Sequence, residues 1–354
     1  MKGKPTSFDI AYRAGVSQAT VSRALRDSPL VSEDTRRKIK AIAKEINYKV
    51  DKHASSLRRQ QAETLAVLLF EDPTSDDSLI NPFFMSMLAS ITRSCARAGY
   101  DLLISFQQLS DDWHADYQDS HKADGLILLG YGDYLTSESK LSKLAEQGTH
   151  FVRWGPSVPG QAGLTVGCDN VQGGRLLTEH LIRQGRKRIA FIGDASLHCP
   201  EFLDRHRGYV DALKAARLKP SADLLVTAAD STEQVGHAAM ATLLARGKPF
   251  DAVFAASDLI AIGAMRALSE RGMRVPDDIA VVGFDDIPMA SFTNPPLTTV
   301  LQDTRLAGEL MVATLINLIE KKRPAENAML PARLIIRRSC GASLVATANV
   351  KPGR

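Results

Sequence analysis

Side chains that can hydrogen-bond to DNA bases and phosphates are grouped in one short segment near the N-terminus. If this segment is a helix, its outer face carries Ser17, Gln18, Ala19, Thr20 and Arg23. Glutamine pairs well with adenine, arginine pairs with guanine, and the alanine methyl group can contact thymine. We therefore expect Gln18, Ala19 and Arg23 to reach base edges, and the two hydroxyl side chains to contact phosphates.

Two short helices joined by a tight turn would hold this segment in place. Thr6 and Asp9 match a capping box at the start of the first helix, and Gly15 fits the left-handed position after its end. Ser17 can cap the second helix, whose Val21 turns inward. Two helices linked by a short glycine-containing turn are typical of a helix-turn-helix, in which the second helix enters the DNA major groove.

A third amphipathic helix completes a small core. Ser32 can cap it, and Ile39, Ile42 and Ile46 recur at helical spacing to pack on the first two helices. The same pattern also fits a three-helix mini-bundle with a solvated charged face. The charge distribution favours DNA binding, because residues 1–61 contain 14 Lys or Arg against 6 Asp or Glu. This net charge of +8 leaves −4 for the rest of a chain whose total is +4.

The rest of the chain offers few residues for catalysis or metal binding. At 354 residues it exceeds one ordinary core, so two or three domains are expected. The four cysteines are widely separated, and no zinc-type spacing, P-loop, GxSxG elbow or HExxH motif occurs. We therefore predict no catalytic residue, metal or cofactor. Since no apolar run resembles a signal peptide or a membrane span, the sequence predicts a cytoplasmic protein with reduced thiols.

Beyond residue 63, short apolar runs alternate with helical patterns. Predicted strands cover residues 65–70, 101–106, 125–129, 188–192, 224–226, 252–255 and 280–284. Predicted helices cover residues 83–98, 171–184, 203–216, 232–246 and 258–271. This alternation predicts an α/β body made of two doubly wound parallel-sheet lobes, with helices on both faces of each sheet.

Several segments resemble the lactose/galactose-repressor (LacI/GalR) family of bacterial transcription regulators. They are residues 14–23, 31–36, 46–48 and 54–58. The resemblance continues through nearly the whole body, and it implies a small all-α helix-turn-helix head on a periplasmic-binding-protein-like body. The implied boundaries are a DNA-binding domain at 1–61 and an effector-binding and dimerisation domain at 62–345. The N-lobe would take residues 63–168 and 300–330, and the C-lobe 169–299 and 331–341.

Residues 47–61 are polar and basic and form the linker between the head and the body. We expect this linker to become a hinge helix, at about residues 51–60, when it binds the DNA minor groove. The resemblance assigns Ala54 and Leu57 to this contact, with Leu57 wedged into the central base step. The alternative is that Leu57 packs against the body as a linker residue. This chain has Val50-Asp51 where the family usually has Pro-Asn, so the entry point of the hinge helix stays open.

The resemblance also implies an effector site between the two lobes. Its candidate residues are Phe83, Phe84, Trp154, Arg205, Ser257, Asp285 and Gln302. Asp285 follows a predicted parallel strand, where open α/β sheets bind ligands, and its carboxylate can accept hydrogen bonds from two sugar hydroxyl groups. Trp154 can stack on a pyranose ring. For each aromatic residue the alternative is ordinary core packing, and His198 is a further candidate on a nearby loop.

These features predict a transcriptional repressor of carbohydrate-utilisation genes that a small saccharide releases from its operator. The family binds DNA as a two-fold dimer, which implies a palindromic operator and a homodimer or tetramer. Residues 343–354 show no leucine heptads, which favours the dimer. The alternative is a corepressor-dependent regulator that binds a purine or a phosphorylated sugar. The basic head argues against a transport sugar-binding protein, and the missing motifs argue against an enzyme.

Overall fold

The computed structural model describes residues 5–25, 27–48, 61–70, 80–130, 132–158, 160–321 and 326–342. The chain divides into two units, Met1–Ala62 and Glu63–Arg354. The predicted hinge, including Ala54 and Leu57, lies outside the described residues. Within the described ranges, no helix is both long enough and apolar enough to cross a membrane.

The described part of the first unit contains three helices: α1 (Ser7–Ala14), α2 (Gln18–Leu25) and α3 (Glu33–Glu45). The predicted capping box is present, since the Thr6 backbone N–H donates to Asp9 Oδ2 at 2.7 Å. Gly15 ends α1 with φ 72°. The buried core of this unit consists of Ile10, Ala11, Ala14, Val21, Ala24, Val31, Ile39 and Ala43. The predicted helix-turn-helix with a packed third helix is therefore confirmed.

A six-stranded parallel sheet and its helices form the N-lobe of the second unit. The strands are β1 (Thr64–Leu69), β2 (Asp101–Phe106), β3 (Gly125–Leu129), β4 (Phe151–Trp154), β5 (Leu164–Cys168) and β11 (Ala328–Leu330). Their order is β11-β5-β4-β3-β1-β2. The helices are α4 (Pro82–Ala98), α5 (Tyr134–Glu146) and α10 (Thr304–Glu320). Because α4 and α10 pack on one face and α5 on the other, both faces of the sheet are covered.

A four-stranded parallel sheet and four helices form the C-lobe. The strands are β6 (Ile189–Ile192), β7 (Leu225–Val226), β8 (Ala252–Ala255) and β9 (Ala280–Val282), in the order β7-β6-β8-β9. The helices are α6 (Asn170–Arg183), α7 (Pro200–Ala215), α8 (Glu233–Ala245) and α9 (Asp258–Glu270). An antiparallel pair, β10 (Thr299–Leu301) with β12 (Arg333–Ile335), lies beside β9 on the crossover between lobes. The predicted α/β body with two parallel sheets is confirmed.

Two of the boundaries that differ from those predicted bear on the candidate site. The strand predicted at 280–284 ends at Val282, because Asp285 and Asp286 have φ 119° and 55° and turn the chain out of the sheet. Helix α7 begins at Pro200 rather than at residue 203. Proline suits a first helical position, since the backbone N–H that it lacks would have no partner there. The earlier start places Glu201 in the first turn of α7.

Helices α6 and α7 approach closely where two glycines face backbone atoms. A Cβ atom at Gly174 would lie 2.1 Å from the Arg205 carbonyl oxygen, and one at Gly208 would lie 2.0 Å from the Val171 carbonyl oxygen. Any larger residue would push the helices apart. The two glycines therefore fix the position of α7, which carries Arg205.

Candidate functional site

The outer face of α2 carries the residues predicted to contact DNA. The exposed members are Ser17, Ala19 and Arg23, and the partly buried members are Gln18 and Thr20. The Gln18 side-chain amide donates to Ser7 Oγ at 2.8 Å. The hydroxyl oxygens of Ser17 and Thr20 lie 2.9 Å apart. The structure thus brings these side chains onto one short helix, with Gln18 held by α1 and Arg23 extending into solvent.

Sequence reasoning missed the most exposed aromatic residue in the described part of this unit. Tyr12 on α1 is 91% exposed, although tyrosine usually buries most of its ring. Helical spacing is the signal that could have found it, because the inward positions of α1 are already taken by Ile10, Ala11 and Ala14. An aromatic ring with a hydroxyl group on an outward face is suited to contact another molecule.

Arg205, Asp285 and Gln302 lie together at the carboxyl end of the C-lobe sheet. Arg205 Nη1 lies 3.6 Å from Asp285 Oδ1, and Gln302 Nε2 donates to the same oxygen at 2.7 Å. Arg205 Nε also donates to Asn170 Oδ1 at 2.9 Å, and its guanidinium carbon lies 3.9 Å from the ring centroid of Phe284. The three predicted polar residues therefore form one oriented set of hydrogen-bonding groups.

The backbone and the burial of Asp285 both mark it as unusual. It has φ 119°, in a region that residues with a side chain rarely adopt. Burial raises the pKa of its carboxyl group, and this effect is opposed by the neighbouring Arg205 charge and by the Gln302 hydrogen bond. The carboxyl oxygen that contacts Gln302 is thus an acceptor shielded from water, where a hydrogen bond to a ligand would be strong.

Ser257 is also at this end of the sheet, but its hydroxyl group is already engaged. The side chain is fully buried, and its Oγ accepts from the Ile260 backbone N–H at 3.3 Å as the N-cap of α9. It also accepts from Ser231 Oγ at 2.6 Å. Ser257 thus links the start of α9 to the loop that carries Ser231.

Two aspartates next to this set, Asp258 and Asp286, hold the surrounding backbone in place. Asp258 is the first residue of α9 rather than its cap, and its buried carboxylate accepts from the Ile287 backbone N–H at 2.9 Å. Asp286 accepts from Arg337 Nη2 at 2.7 Å. Both side chains therefore hold the loop that presents Asp285, and neither caps a helix.

Glu201 is a further ionisable residue at this site that sequence reasoning missed. It lies one turn before Arg205 on α7 and is partly buried. Burial raises the pKa of its carboxyl group to about 7, and the nearby Arg205 charge opposes the increase. The signal that could have found it is the i, i+4 spacing to Arg205 just after a proline suited to start a helix.

The three aromatic candidates of the N-lobe lie next to one another. The ring centroids of Phe83 and Trp154 are 5.7 Å apart, and those of Phe83 and Phe84 are 5.4 Å apart. Phe83 and Trp154 are each only 5% exposed and belong to the core of the sheet, whereas Phe84 is partly buried. In this lobe arrangement Phe83 and Trp154 pack in the core, which is the alternative to ligand stacking. Phe84 keeps more of its ring accessible.

Two hydrogen bonds of His198 join the C-lobe to the N-lobe. His198, on the loop between β6 and α7, has Nδ1 2.8 Å from Asp133 Oδ2. Its carbonyl oxygen accepts from the Tyr134 backbone N–H at 3.0 Å. The hydrogen bond from His198 lowers the pKa of Asp133. His198 therefore contacts the opposite lobe at the start of α5.

Comparison with known proteins agrees with this architecture. Residues 8–51 match the model of bacterial regulatory proteins of the lacI family, and residues 178–340 match a periplasmic binding protein-like domain. The chain is 33% identical to the HTH-type transcriptional regulator CelR of Thermobifida fusca over 95% of this chain and 98% of that protein. It is 34% identical to the ribose operon repressor of Escherichia coli over 89% of this chain and 93% of that repressor. The chain belongs to the LacI family of bacterial regulatory proteins.

Solved structures of LacI-family proteins extend the similarity to the whole fold. A Lac repressor dimer bound to operator and the anti-inducer ONPF superposes with a TM-score of 0.79 at 27% identity, over 96% of this chain and all of that one. A complex of the regulator CelR with cellobiose has a TM-score of 0.70 at 32% identity, over 95% of this chain and 99% of that one. This LacI-family protein is therefore a DNA-binding transcription regulator, and α1 to α3 lie within its matched DNA-binding region.

Proposed function

We propose that this LacI-family regulator represses carbohydrate-utilisation genes and leaves a palindromic operator when a small saccharide binds between its lobes. The observation that carries the proposal is the oriented set formed by Arg205, Asp285 and Gln302. Sugars present neighbouring hydroxyl groups that both donate and accept hydrogen bonds. An arginine, a carboxylate and an amide on adjacent elements match that pattern.

The charge around this set supports a neutral ligand. Glu201, with a pKa of about 7, is half protonated near neutral pH and can then donate as well as accept. Asp285 lies 3.6 Å from the guanidinium group of Arg205, so this positive charge is already balanced. The names of two relatives, a ribose operon repressor and a regulator solved with cellobiose, point to the same ligand class.

On DNA, we assign base contacts to Gln18, Ala19 and Arg23, and phosphate contacts to Ser17 and Thr20. The exposure of these side chains on one helix supports the assignment. We further propose that the hinge residues Ala54 and Leu57 enter the minor groove at the operator centre. A homodimer, in which a two-fold axis relates two copies of the chain, would contact the two half-sites of a palindromic operator.

Fluorescence anisotropy of a labelled palindromic site from the gene's own upstream region tests this function. At fixed salt, we expect one of a panel of glucosides and disaccharides to release the protein from DNA. The variant Asp285→Asn should bind the same DNA but respond at least ~10-fold more weakly, because hydrogen bonds to a charged acceptor contribute ~1.5–3 kcal/mol.

A matched control is Asp211→Asn, which removes an exposed carboxylate of the same lobe on the far part of α7. This variant should respond to the saccharide as the original protein does. Tight DNA binding that no saccharide changes would contradict the inducer assignment. An equal loss of response in both variants would remove Asp285 from the ligand site.

A further inference from the structure

Arg153, on β4 of the N-lobe, is a buried cation with few partners. The side chain is only 3% exposed, and its Nη2 donates to the Pro156 carbonyl oxygen at 2.9 Å. Among the described residues, Nε and Nη1 are buried without any hydrogen-bond partner. The guanidinium carbon lies 5.9 Å from the ring centroid of Tyr134. Three N–H groups of a charged side chain, one on Nε and two on Nη1, are thus shielded from water without a hydrogen-bond partner among the described residues.

Two polar side chains around Arg153, those of Gln107 and Trp113, have hydrogen-bond partners. Gln107 Nε2 donates to the carbonyl oxygens of Leu68 and Gly130, at 3.1 and 2.8 Å. Trp113 Nε1 donates to the Gln107 carbonyl oxygen at 3.0 Å. Burial lowers the pKa of Arg153 to about 10, so the guanidinium group stays charged at neutral pH. A buried charge without a partner destabilises the fold, so a counter-charge would be bound favourably.

A small cavity lies against this guanidinium group. Its volume is about 20 Å³, room for a group of the size of one water molecule. Its lining includes Arg153, Gln107, Trp113, Tyr134, Ser137 and Trp154. Tyr134 and Ser137 belong to the first turn of α5, and the N-terminus of a helix favours negative charge.

We propose that this cavity, the Arg153 pocket, binds one small monovalent anion. The shared chemistry is a compact negative group that accepts from Nε and Nη1 of Arg153, supplied either by a free halide ion or by one carboxylate oxygen of a ligand. A bound anion would also stabilise the lobe contact, because the Tyr134 backbone N–H, at the edge of the pocket, donates to His198 of the C-lobe.

Bromide quenching of tryptophan fluorescence tests the proposal on the full chain. Trp113 and Trp154 are the two tryptophans of the sequence, both line the pocket, and they are only 6% and 5% exposed. Sodium bromide would replace sodium sulfate at constant ionic strength, since sulfate is too large for the cavity. We expect saturable quenching in the original protein and in Arg175→Met, which removes an exposed arginine. The variant Arg153→Met should show only weak, linear quenching.

Two further measurements make the outcome decisive. A crystal of the original protein soaked in bromide should show an anomalous peak within hydrogen-bond distance of the Arg153 guanidinium group. This experiment does not depend on whether a variant folds. Competition by glucuronate but not by glucose would assign the anion to a ligand carboxylate, and lack of competition would assign it to a free halide ion. Linear quenching in the original protein, or a water molecule alone at the guanidinium group, would overturn the proposal.

Discussion

Replacing Glu201 with glutamine should change how the stability of the protein depends on pH. In the folded chain the Glu201 carboxyl group has a pKa of about 7, against an ordinary value of 4.5, because burial disfavours its charged form. Each pH unit of that difference corresponds to ~1.4 kcal/mol, so full ionisation costs the folded state about 3 kcal/mol. Since the side chain is only partly buried, we expect an effect between about 1 and 3 kcal/mol.

The sign follows from proton binding. A carboxyl group whose pKa is raised on folding holds its proton more tightly in the folded state between pH 4.5 and 7. The folded state is therefore favoured below pH 4.5, and that contribution is lost as the pH rises through 7. Glutamine keeps the shape without the ionisation. The variant should match the original protein near pH 5 and exceed its stability by about 1–3 kcal/mol at pH 8.

Urea denaturation of the full chain, followed by far-ultraviolet circular dichroism at pH 5, 6, 7 and 8, measures this difference. Asp285 and Asp258 also have raised pKa values, but they are present in both proteins and largely cancel in the comparison. The control is Glu138→Gln, an exposed glutamate on α5, which should leave the pH profile unchanged. The reasoning is wrong if Glu201→Gln and the original protein give parallel profiles, or if the variant is less stable at pH 8.

Three more predictions concern packing and DNA contacts. Gly208→Ala should lower the melting temperature by at least about 4 °C, because the alanine Cβ would meet the Val171 carbonyl oxygen. An unchanged calorimetric transition would contradict the close α6–α7 contact. Arg23→Ala should cost ~1–3 kcal/mol and relax the preference for one base in competition binding; a uniform loss across sequences would make Arg23 a phosphate contact. Leu57→Ala should weaken specific operator binding by about tenfold or more in anisotropy titrations, and an equal loss on non-specific DNA would exclude a wedge.

The sequence predicted the elements better than it predicted their ends. Buried apolar runs and helical spacing are local, so the alternating strands and helices of both lobes could be predicted from them. The turn after Val282 could not, because the left-handed backbone of Asp285 and Asp286 depends on contacts with Thr299, Arg337 and other distant residues. Tertiary contacts of this kind override the preference of a local apolar run.

The candidate site shows the same division between local and distant causes. Arg205, Asp285 and Gln302 were identified through the resemblance to the LacI/GalR family, and Asp285 also through its place after a predicted parallel strand. The burial of Arg153 was not predictable from its neighbours in sequence, since an arginine in a four-residue strand more often faces solvent. The engagement of Ser257 depends on Ser231, which lies 26 residues earlier on another loop.

The contacts of Gln302 suggest how a ligand could affect the arrangement of the lobes. Arg205 and Asp285 are fixed within the C-lobe by Asn170 and by the turn after β9, so their geometry should be similar in any lobe arrangement. A ligand that touched only these groups would bind both arrangements equally and would shift nothing. Gln302 differs, because it contacts Asp285 and immediately precedes Asp303, the N-cap of the N-lobe helix α10. A ligand that competes for the Gln302–Asp285 hydrogen bond therefore acts on both lobes at once, and this bond is where its preference for one arrangement should arise.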